Sequence, residues 1–579
     1  MNDISKNKGQ INNTLSVRRK KLFVFILILL CGVVSAVLLS FNKLSFSYKW
    51  DNEDNVIDLS KYDQIVDNVE LDWDSGRYSP INDDPWILFR GIDNQYKGIL
   101  ITLKEPVNEN VEVKMYWTHM GDDALSESRT RTVFIDKGEK SAYLRLPGYA
   151  VGMIRVDIDA KCQLESIEVS NNSCEKSIRI RTEFVVAFLI RLALIVCILY
   201  VAYLAHLERV SKGSPVVKGL FFDEIRPGRS YEYDYIRTLA ALLVIMMHSV
   251  IENFAPTVAK GDAGYLILKL VLAFSLVCNA LYIMLSGALL LKPSKETIGE
   301  FYKKRLPKVL IPTISYYMLY MIQGFGSEVF KDGLLNGLWL ILKGLLTSRP
   351  EYMLHMWFIY AILSLYIFAP FLRIIVANIS HGQLFGLVVA GFVFDVFATV
   401  LPMNGLSFGI DTPIASWMGV FLLGYYMTTD HAKNKQVLFM ILGVIALGVT
   451  CVLVYNRPDL LYYESNWAPL MWIEGAGVFA FFIYFKKIFG KHNPIIAAIS
   501  KFNFSIMLVH VLLLMKFILP IGWRMEGEYG HLRIFIIGII LVCFVMSFLV
   551  SVIYDNTVII AMNYLYRRLT EIKDRKKNR

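Results

Sequence analysis

The segment YDYIRTLAALLVIMMHSVIENF, residues 233–254, decides the fold class. Its centre is an apolar run, and about 20 such residues in an α-helix cross the hydrocarbon core of a bilayer. Similar runs recur along the chain, which has 579 residues, 55% of them hydrophobic and only 19% charged. The sequence therefore predicts a polytopic α-helical membrane protein.

The formal net charge of +10 raises nucleic acid binding as an explanation of the basic residues. Most lysines and arginines, however, lie in short segments between apolar runs, where they set the orientation of a membrane protein. Topology therefore accounts for the charge, and we expect the lipid bilayer as a partner and no nucleic acid.

The first apolar run, residues 22–41, follows basic residues at positions 18–21. Basic residues before a span keep the N-terminus inside, so we expect residues 1–21 in the cytoplasm. A cleaved signal peptide, cut near residues 34–36, is the alternative. The run is longer than the usual apolar core of a signal peptide, which favours a transmembrane anchor.

Residues 43–180 are polar and contain short stretches of alternating apolar and polar residues, such as Val111 to Trp117 and Ile154 to Ile158. Gly, Asn, Asp and Pro separate these stretches, which is typical of strands joined by turns. We expect an extracytoplasmic, jelly-roll-like β-sandwich. Its cysteines, Cys162 and Cys174, either form a disulfide in an oxidising exterior or remain free thiols.

The chain is then expected to return through a span at residues 184–205 to a basic cytoplasmic linker, residues 206–233. Residues 234–558 are expected to hold ten further spans, and residues 559–579 to form a basic cytoplasmic tail. Both termini would then lie in the cytoplasm and the protein in the cell membrane. The ten spans are predicted near residues 235–254, 264–291, 309–325, 354–376, 383–402, 413–428, 436–455, 466–486, 494–518 and 531–556.

Residues 334–347 determine this count because they are apolar but short for a span and carry Lys343. If these residues form an interfacial helix on the outer face of the membrane, the later basic clusters all lie in the cytoplasm, at 433–435, 486–491 and 567–579. An eleventh span would place the first two clusters outside, against the positive-inside tendency. We therefore expect an interfacial helix.

Arg237 and His248 are expected on one side of the first of these ten spans. Eleven steps of about 100° return to nearly the same helix face, and at about 1.5 Å each they cover about 16 Å, half the hydrocarbon thickness. Arg237 would lie at the cytoplasmic edge and His248 deeper. Glu252, four residues on, shares the face and is suited to orient the imidazole.

This spacing suits a donor that enters from the cytoplasm. A guanidinium binds phosphate or carboxylate through two hydrogen bonds, and a neutral imidazole takes a proton from an attacking hydroxyl. The alternative is structural, since an arginine near a span end often reaches back to the interface and an intramembrane histidine often makes a packing hydrogen bond.

Other polar residues in the spans are candidates for a pathway, because such side chains are costly in lipid. Asp395 lies in the middle of its span and Glu474 about a third of the way into its own. Each is expected either to line a pathway or to pair within the helix bundle. Trp357 and Tyr360 lie near an outer interface, where aromatic residues form a belt or, alternatively, an acceptor platform.

Several motifs, in this order along the chain, resemble those of the acyltransferase-3 family of membrane acyltransferases. The resemblance covers roughly residues 230–560. The motifs are Arg237 and His248, separated by ten residues; Tyr282-Ile-Met-Leu-Ser286-Gly287; the basic motif Lys303-Lys304-Arg305-Leu-Pro-Lys308; His355-Met-Trp357-Phe358-Ile-Tyr360; and Ser500-Lys-Phe-Asn-Phe-Ser505-Ile-Met-Leu-Val-His510.

The resemblance implies that His248 is the catalytic histidine and that Arg237 supports the donor or the active site. It also implies that acyl-coenzyme A, expected to carry acetyl, is the donor, with no metal required. Arg305 and Lys308 would contact its phosphates, but lysine replaces a second arginine of the family motif and lacks the planar fork of a guanidinium. Lys304 and Ser286 are assigned to donor binding with them, and His510 to the pathway. The basic cluster also fits ordinary positive-inside topology.

The predicted β-sandwich loosely resembles the jelly-roll-like modules of bacterial cell-surface glycan enzymes. Carbohydrate binding and a structural or partner-binding role are both compatible with it. The segment lacks a Gly-Asp-Ser nucleophile motif, so we expect no second esterase or transferase centre there.

Together these features predict an O-acyltransferase that moves an acyl group from cytoplasmic acyl-coenzyme A to a hydroxyl of an extracytoplasmic glycan. Direct transfer and an acyl-enzyme intermediate both fit the residues. A polysaccharide or lipid-linked glycan transporter is one alternative, although such a protein would be expected to show internal repeats that are not evident. A catalytically inactive glycan-binding membrane protein is another, against which the presence of both Arg237 and His248 counts.

Overall fold

The computed structural model describes residues 24–37, 45–59, 62–67, 69–72, 77–81, 85–108, 111–121, 125, 129–135, 137–146, 150–158, 163–180, 182–211, 220–221, 228–254, 270–324, 329, 333–347, 354–403, 406, 417–456, 469–518 and 532–577. The chain divides into two compact units, Met1–Tyr200 with Ile521–Leu532 and Val201–Pro520 with Arg533–Arg579. Each unit has its own apolar core.

The first unit is rich in β-strands, as predicted from the alternating stretches. In chain order the strands are β1 (Ser45–Trp50), β2 (Ile57–Asp58), β3 (Asp63–Asp67), β4 (Val69–Asp72), β5 (Arg77–Pro80), β6 (Trp86–Arg90), β7 (Gly98–Leu103), β8 (Val111–His119), β9 (Thr130–Ile135), β10 (Ser141–Arg145), β11 (Val151–Ile158), β12 (Leu164–Ser170) and β13 (Cys174–Arg179).

Two antiparallel sheets of this unit enclose one core. One has the strand order β10-β7-β12-β5-β4, with β2 also paired to β12, and the other has the order β3-β6-β11-β8-β9. Successive side chains of a strand point to opposite faces. In β8 the buried set includes Val113 and Met115, which belong to the same core as Ile99 and Ile101 of β7. The two sheets thus form a sandwich.

Strands β1 and β13 pair in a separate two-stranded sheet, from Ser45 opposite Arg179 to Trp50 opposite Cys174. Cys174 is a free cysteine, and burial raises the pKa of its thiol to about 11. Cys162, the other cysteine of the predicted pair, lies outside the described residues.

The remaining described chain is mainly helical. The helices of ten residues or more are α1 (Val24–Val37), α2 (Thr182–Ser211), α3 (Glu232–Phe254), α4 (Leu270–Leu290), α5 (Ile298–Leu319), α6 (Leu334–Leu346), α7 (Trp357–Asn378), α8 (His381–Met403), α9 (Trp417–Tyr426), α10 (Gln436–Asn456), α11 (Pro469–Tyr484), α12 (Pro494–Leu513), α13 (Leu532–Tyr554) and α14 (Ile560–Lys577).

Within the described residues, seven helical segments are long and apolar enough to cross a membrane. Shorter apolar helices accompany them, among them α1, α6, α9 and α11. The chain is therefore a multi-pass membrane protein. The seven segments are Phe184–Ser211, Leu270–Leu290, Trp357–Asn378, His381–Leu401, Gln436–Asn456, Pro494–Ile518 and Ile537–Ile572.

Helix α5 begins earlier than the span expected at residues 309–325. It begins at Ile298 and contains the whole basic motif. Its N-terminus is a capping box, in which the Thr297 side chain accepts from the Glu300 backbone and the Glu300 side chain accepts from the Thr297 backbone. These bonds satisfy backbone groups that a helix start otherwise leaves unpaired, so the helix begins before the basic residues.

Helix α6 corresponds to the short segment predicted to be interfacial. Its Leu335 and Leu346 are 81% and 76% exposed, whereas Ile341 is buried. Two tyrosine hydroxyls hold the helix: Tyr317 donates to the Ile341 carbonyl over 3.1 Å and Tyr360 to the Gly344 carbonyl over 3.2 Å. Tyr360 thus has a structural contact and is not among the residues of the cavity described below.

Helices α4 and α9 pack with their backbones in close contact. A Cβ atom added to Gly287 would overlap the Phe421 carbonyl, and one added to Gly424 would overlap the backbone of Met284. Asn279, earlier in α4, lines the cavity described below, so the two glycines help to set the position of α4 in the bundle.

Candidate active site

A cavity of about 160 Å³ lies among α3, α4, α12 and the start of α7. Most of its wall is apolar, including Val244, Met247 and Leu508. The polar groups converge on it from different elements. They are His248 of α3, Asn279 of α4, His355 of the turn Leu354–Met356, Trp357 of α7 and His510 of α12.

Three imidazole rings of this cavity face one another. The ring centroid of His248 lies 5.1 Å from that of His510 and 6.0 Å from that of His355. The rings of His355 and His510 are 6.1 Å apart. An imidazole is able to donate or accept a proton, so the cluster offers proton-transfer groups.

His510 is held so that one ring nitrogen points away from its own helix. Its Nδ1 lies 2.8 Å from the Met507 carbonyl, a group that only accepts, so Nδ1 carries the hydrogen and donates it. Nε2 is then an acceptor, and it has no hydrogen-bond partner among the described residues. A hydroxyl entering the cavity would find a proton acceptor at this atom.

His355 is held by Tyr320, which lies in the helical turn Tyr320–Gly324. The Tyr320 hydroxyl is 3.4 Å from His355 Nε2, donates to the Leu508 carbonyl over 3.1 Å and accepts from the Leu512 backbone over 2.8 Å. These bonds tie the His355 turn to α12. The motif containing His355 was noted in the sequence, but His355 itself was not predicted as a site residue.

Arg237 lies toward the start of α3, in a network that the sequence analysis missed. Its Nη1 lies 2.8 Å from Asp234 and 3.3 Å from the Ser500 hydroxyl, which itself donates to Asp234 over 2.7 Å. Arg229 pairs with the same carboxylate at 3.0 Å. Asn503 donates to the Arg237 backbone carbonyl over 2.6 Å, so α12 fixes α3 at this point.

Asp234 is almost fully buried, whereas the Arg237 side chain is 26% exposed. The carboxylate therefore acts as an internal anchor for two guanidinium groups, because a buried charge needs paired partners. Arg237 keeps part of its surface for another ligand. Asp234 is three residues before Arg237, a spacing that places side chains together on a helix.

Arg305 of the basic motif also lies in an ion-pair network. It contacts Glu296, which Arg373 of α7 approaches at 3.5 Å. Arg305 and Arg373 both lie over the Phe301 ring, at 4.4 and 5.0 Å from its centroid. Arg373 is buried and donates twice to the Leu290 carbonyl, at 3.0 and 2.7 Å. These contacts fix the Arg305 position.

The basic residues of this network favour the charged form of the Glu296 carboxyl group. Desolvation opposes the charged form, but the hydrogen bond and positive charge of Arg305, together with Lys304 and Arg373, outweigh it and lower the pKa of Glu296. Lys304 lies 3.5 Å from Glu296 and is 64% exposed. Lys308 is exposed on the same helix.

Tyr366 of α7 connects the two arginine networks. It lies close enough to Arg237 and to Arg305 to interact electrostatically with both guanidinium groups. The predicted donor-binding arginines thus lie near one tyrosine. Ser286 is half-buried and donates to the Tyr282 carbonyl of its own helix over 2.9 Å.

The predicted pathway residues separate into two groups. Trp357 and His510 line the histidine cavity, whereas Asp395 and Glu474 are buried elsewhere and are not among its lining residues. Asp395 Oδ2 has no hydrogen-bond partner among the described residues. The side chain of Glu252, predicted to orient His248, lies outside the described residues.

Comparison with known proteins agrees with this arrangement. A search of curated proteins and a search of solved structures return no match. The profile of the Acyl_transf_3 family, described as an acyltransferase domain, matches residues 230–555, which is more than half of the chain and includes the histidine cavity, Arg237 and Arg305. The chain therefore belongs to the acyltransferase-3 family of membrane acyltransferases.

Proposed function

We propose that this protein is an O-acyltransferase that uses acyl-coenzyme A on the cytoplasmic side, expected to carry acetyl, and acylates a hydroxyl of an extracytoplasmic glycan. The observation that carries the proposal is one helix, α3, with a partly exposed guanidinium near its start and an imidazole in a mainly apolar cavity further along. Arg237 and His248 are about 16 Å apart along that helix. A donor bound at Arg237 would extend its acyl group toward His248.

The donor end rests on the two arginine networks. Coenzyme A carries phosphates, and guanidinium groups bind phosphates through paired hydrogen bonds. Arg237 and Arg305 both interact electrostatically with Tyr366, and Lys304 and Lys308 are exposed on α5. A phosphate is able to replace Glu296 at Arg305, because both are anions that accept hydrogen bonds from the same guanidinium.

The chemical step is assigned to the histidine cavity. The acceptor hydroxyl oxygen attacks the thioester carbonyl carbon as His248 takes the hydroxyl proton, a new C–O bond forms and the C–S bond breaks. The proton then passes to the departing thiolate. Asn279 faces the same cavity, and its amide is suited to stabilise the negative oxygen that develops on the carbonyl. A hydroxyl has a single hydrogen, so His510 Nε2 is an alternative to His248 as the group that accepts it.

The proposal includes a membrane topology. Ten spans within residues 234–558, two flanking the sandwich and both termini in the cytoplasm would put the Arg305 end inside and the sandwich outside the cell membrane. The long and short apolar helices support a bundle of this size. An acyl group moving from Arg237 toward His248 would then travel outward.

The sandwich is proposed to bring the glycan close to the membrane. On the sheet face opposite its core, the Arg155 guanidinium lies 4.7 Å from the Trp86 ring centroid and 5.4 Å from that of Tyr116. Asp157 holds Arg155 through two hydrogen bonds of 2.6 and 2.8 Å. Aromatic rings beside charged hydrogen-bonding groups are suited to sugars, whose faces are apolar and whose edges carry hydroxyls.

The test compares acyl esters on surface glycans, measured by mass spectrometry, in cells carrying the wild type, His248→Ala or His381→Ala. His381 is an exposed histidine at the start of α8 and serves as the matched control. General base catalysis typically contributes about 10²–10⁴-fold, so His248→Ala should abolish detectable acylation while His381→Ala preserves it.

Normal acylation by His248→Ala, at equal protein level, would refute the proposal. If the glycan instead fails to reach the surface in this variant, the transporter alternative gains support. A third variant, which lacks residues 43–180, tests whether the sandwich captures the acceptor. If this variant still acylates a soluble sugar but no longer acylates the native glycan, the sandwich is the part that captures the glycan.

A further inference from the structure

A second, larger cavity opens between α10 and α11, and it shares no lining residue with the histidine cavity. Its volume is about 480 Å³. Leu239 and Phe274 contribute to its inner wall, and the exposed Val444 and Phe481 lie at its outer side, being 71% and 41% exposed. We call this cavity the α10–α11 groove.

Two glycines give the groove its shape. Gly443 of α10 and Gly477 of α11 meet so closely that a Cβ added to either would lie 2.8 Å from the Cα of the other. Both also line the groove. The helices therefore touch at this point without side chains, and space remains beside the contact.

The groove is apolar apart from Glu474, which is the one ionisable residue among its described lining residues. The residue is 4% exposed. Its Oε1 accepts a 2.6 Å hydrogen bond from the Thr450 hydroxyl of α10. Oε2 has no hydrogen-bond partner among the described residues. One half of the carboxyl group is thus satisfied by the protein and the other half is left for a ligand.

A buried polar atom without a partner costs free energy, so this arrangement calls for a ligand group that bonds to Oε2. A hydroxyl suits it best, because one hydrogen bond satisfies its single hydrogen. An ammonium would leave its further hydrogens unpaired against apolar walls, and a phosphate or carboxylate would bring an anion next to a carboxyl group. The apolar walls suit a hydrocarbon chain.

We propose that the α10–α11 groove binds a membrane lipid alcohol, that is, a long apolar chain carrying a single hydroxyl group, with that hydroxyl bonded to Glu474. The chain lies along Gly443 and Gly477, and Val444 and Phe481 flank its entry. Helix α11 then bears a lipid site separate from acyl transfer. The proposal does not depend on the proposed function.

The test uses the purified full chain in lipid nanodiscs with a photoreactive analogue of hexadecanol, and with the matching hexadecane and hexadecylamine analogues. Mass spectrometry locates the labelled peptides. We expect the alcohol to label Gln436–Asn456 and Pro469–Tyr484 about three- to tenfold more than the alkane, the range for one hydrogen bond in an apolar setting. Glu474→Leu should remove this preference, and Glu474→Gln, which still accepts and donates, should retain most of it.

Val444→Trp should fill the groove and prevent labelling by every analogue. The control is Val452→Trp on the same helix, where the residue is 59% exposed and does not line the groove. Equal labelling by alcohol and alkane in the wild type, stronger labelling by the amine, or unchanged labelling in Val444→Trp would overturn the proposal. If a variant fails to fold, a competition experiment on the wild type replaces it. Unlabelled hexadecanol should then reduce labelling by the photoreactive alcohol, whereas hexadecane should not, and equal competition by both would overturn the proposal.

Discussion

At the scale of single residues, the positions that do chemistry are defined as much by their partners as by their type. His248 and Arg237 were visible in the sequence because a histidine and an arginine are unusual inside an apolar run. Their partners Asp234, Ser500 and His355 were not predicted as site residues, and neither was Arg373, which approaches Glu296. Asp234 had a local signal in its spacing from Arg237, whereas His355 and Arg373 reach their positions only through packing of distant segments.

The substitution Asp234→Asn tests whether this carboxylate orients Arg237. Loss of the buried anion leaves Arg229 and Arg237 without their shared partner, and removing one member of a buried ion pair typically costs about 3–5 kcal/mol. We expect the KM for the acyl donor to rise about tenfold with a smaller change in kcat, measured in steady-state kinetics. Asp430→Asn, at an exposed ion pair with Lys433, is the control.

A purely structural role of Asp234 would lower the yield of folded protein and leave the KM of the remaining enzyme unchanged. That outcome would contradict its assignment as a positioning residue for Arg237.

Glu296 makes a prediction about pH. Its folded-state pKa lies below the ordinary value of 4.5, so the charged carboxylate contributes stability above that pH and loses it as the pH falls through the lowered pKa. The wild type should therefore unfold at a higher temperature than Glu296→Gln near neutral pH, and the two melting curves should converge in acid. A difference in melting temperature that persists unchanged into acid would contradict this role of the network.

At the scale of helices and strands, periodicity and length predicted most elements. The span expected at 436–455 is α10, Gln436–Asn456, and the span expected at 383–402 lies within α8. The span expected at 309–325 overlaps α5, which begins earlier, at Ile298, and contains the basic motif. The capping pair Thr297 and Glu300 was present in the sequence and explains why the helix starts earlier.

The contact between α4 and α9 depends on Gly424. Adding a methyl group there forces the α4 backbone away, so Gly424→Ala should lower the free energy of unfolding by about 1–3 kcal/mol, as expected of overpacking. Thermal unfolding in detergent measures the effect. Gly448→Ala is the matched control, since no heavy atom lies within 4 Å of its added Cβ. Helix propensity favours alanine there.

If Gly424→Ala melts at the temperature of the wild type, the two helices are not held in backbone contact as described, and the shape of the nearby histidine cavity would need another explanation.

At the scale of the whole molecule, the sequence distinguished a strand-rich unit from a helical one and identified the family, which is confirmed. The pattern of apolar residues was sufficient to separate the two units, because strands show alternating apolar and polar residues whereas membrane spans show continuous apolar runs. The cavity and the α10–α11 groove were not predictable, because the cavity arises where distant helices meet and the groove lies beside the contact of Gly443 with Gly477.

The central claim is that an acyl group passes from a donor at the Arg237 end of α3 to an acceptor across the membrane through the histidine cavity. The most direct measurement uses proteoliposomes with radiolabelled acetyl-coenzyme A supplied on one face and a hydroxyl-bearing glycan enclosed on the other. We predict label on the enclosed glycan with oriented wild-type protein, and background label with His248→Ala. Equal labelling by wild type and His248→Ala, or labelling only when donor and glycan share one face, would contradict the claim.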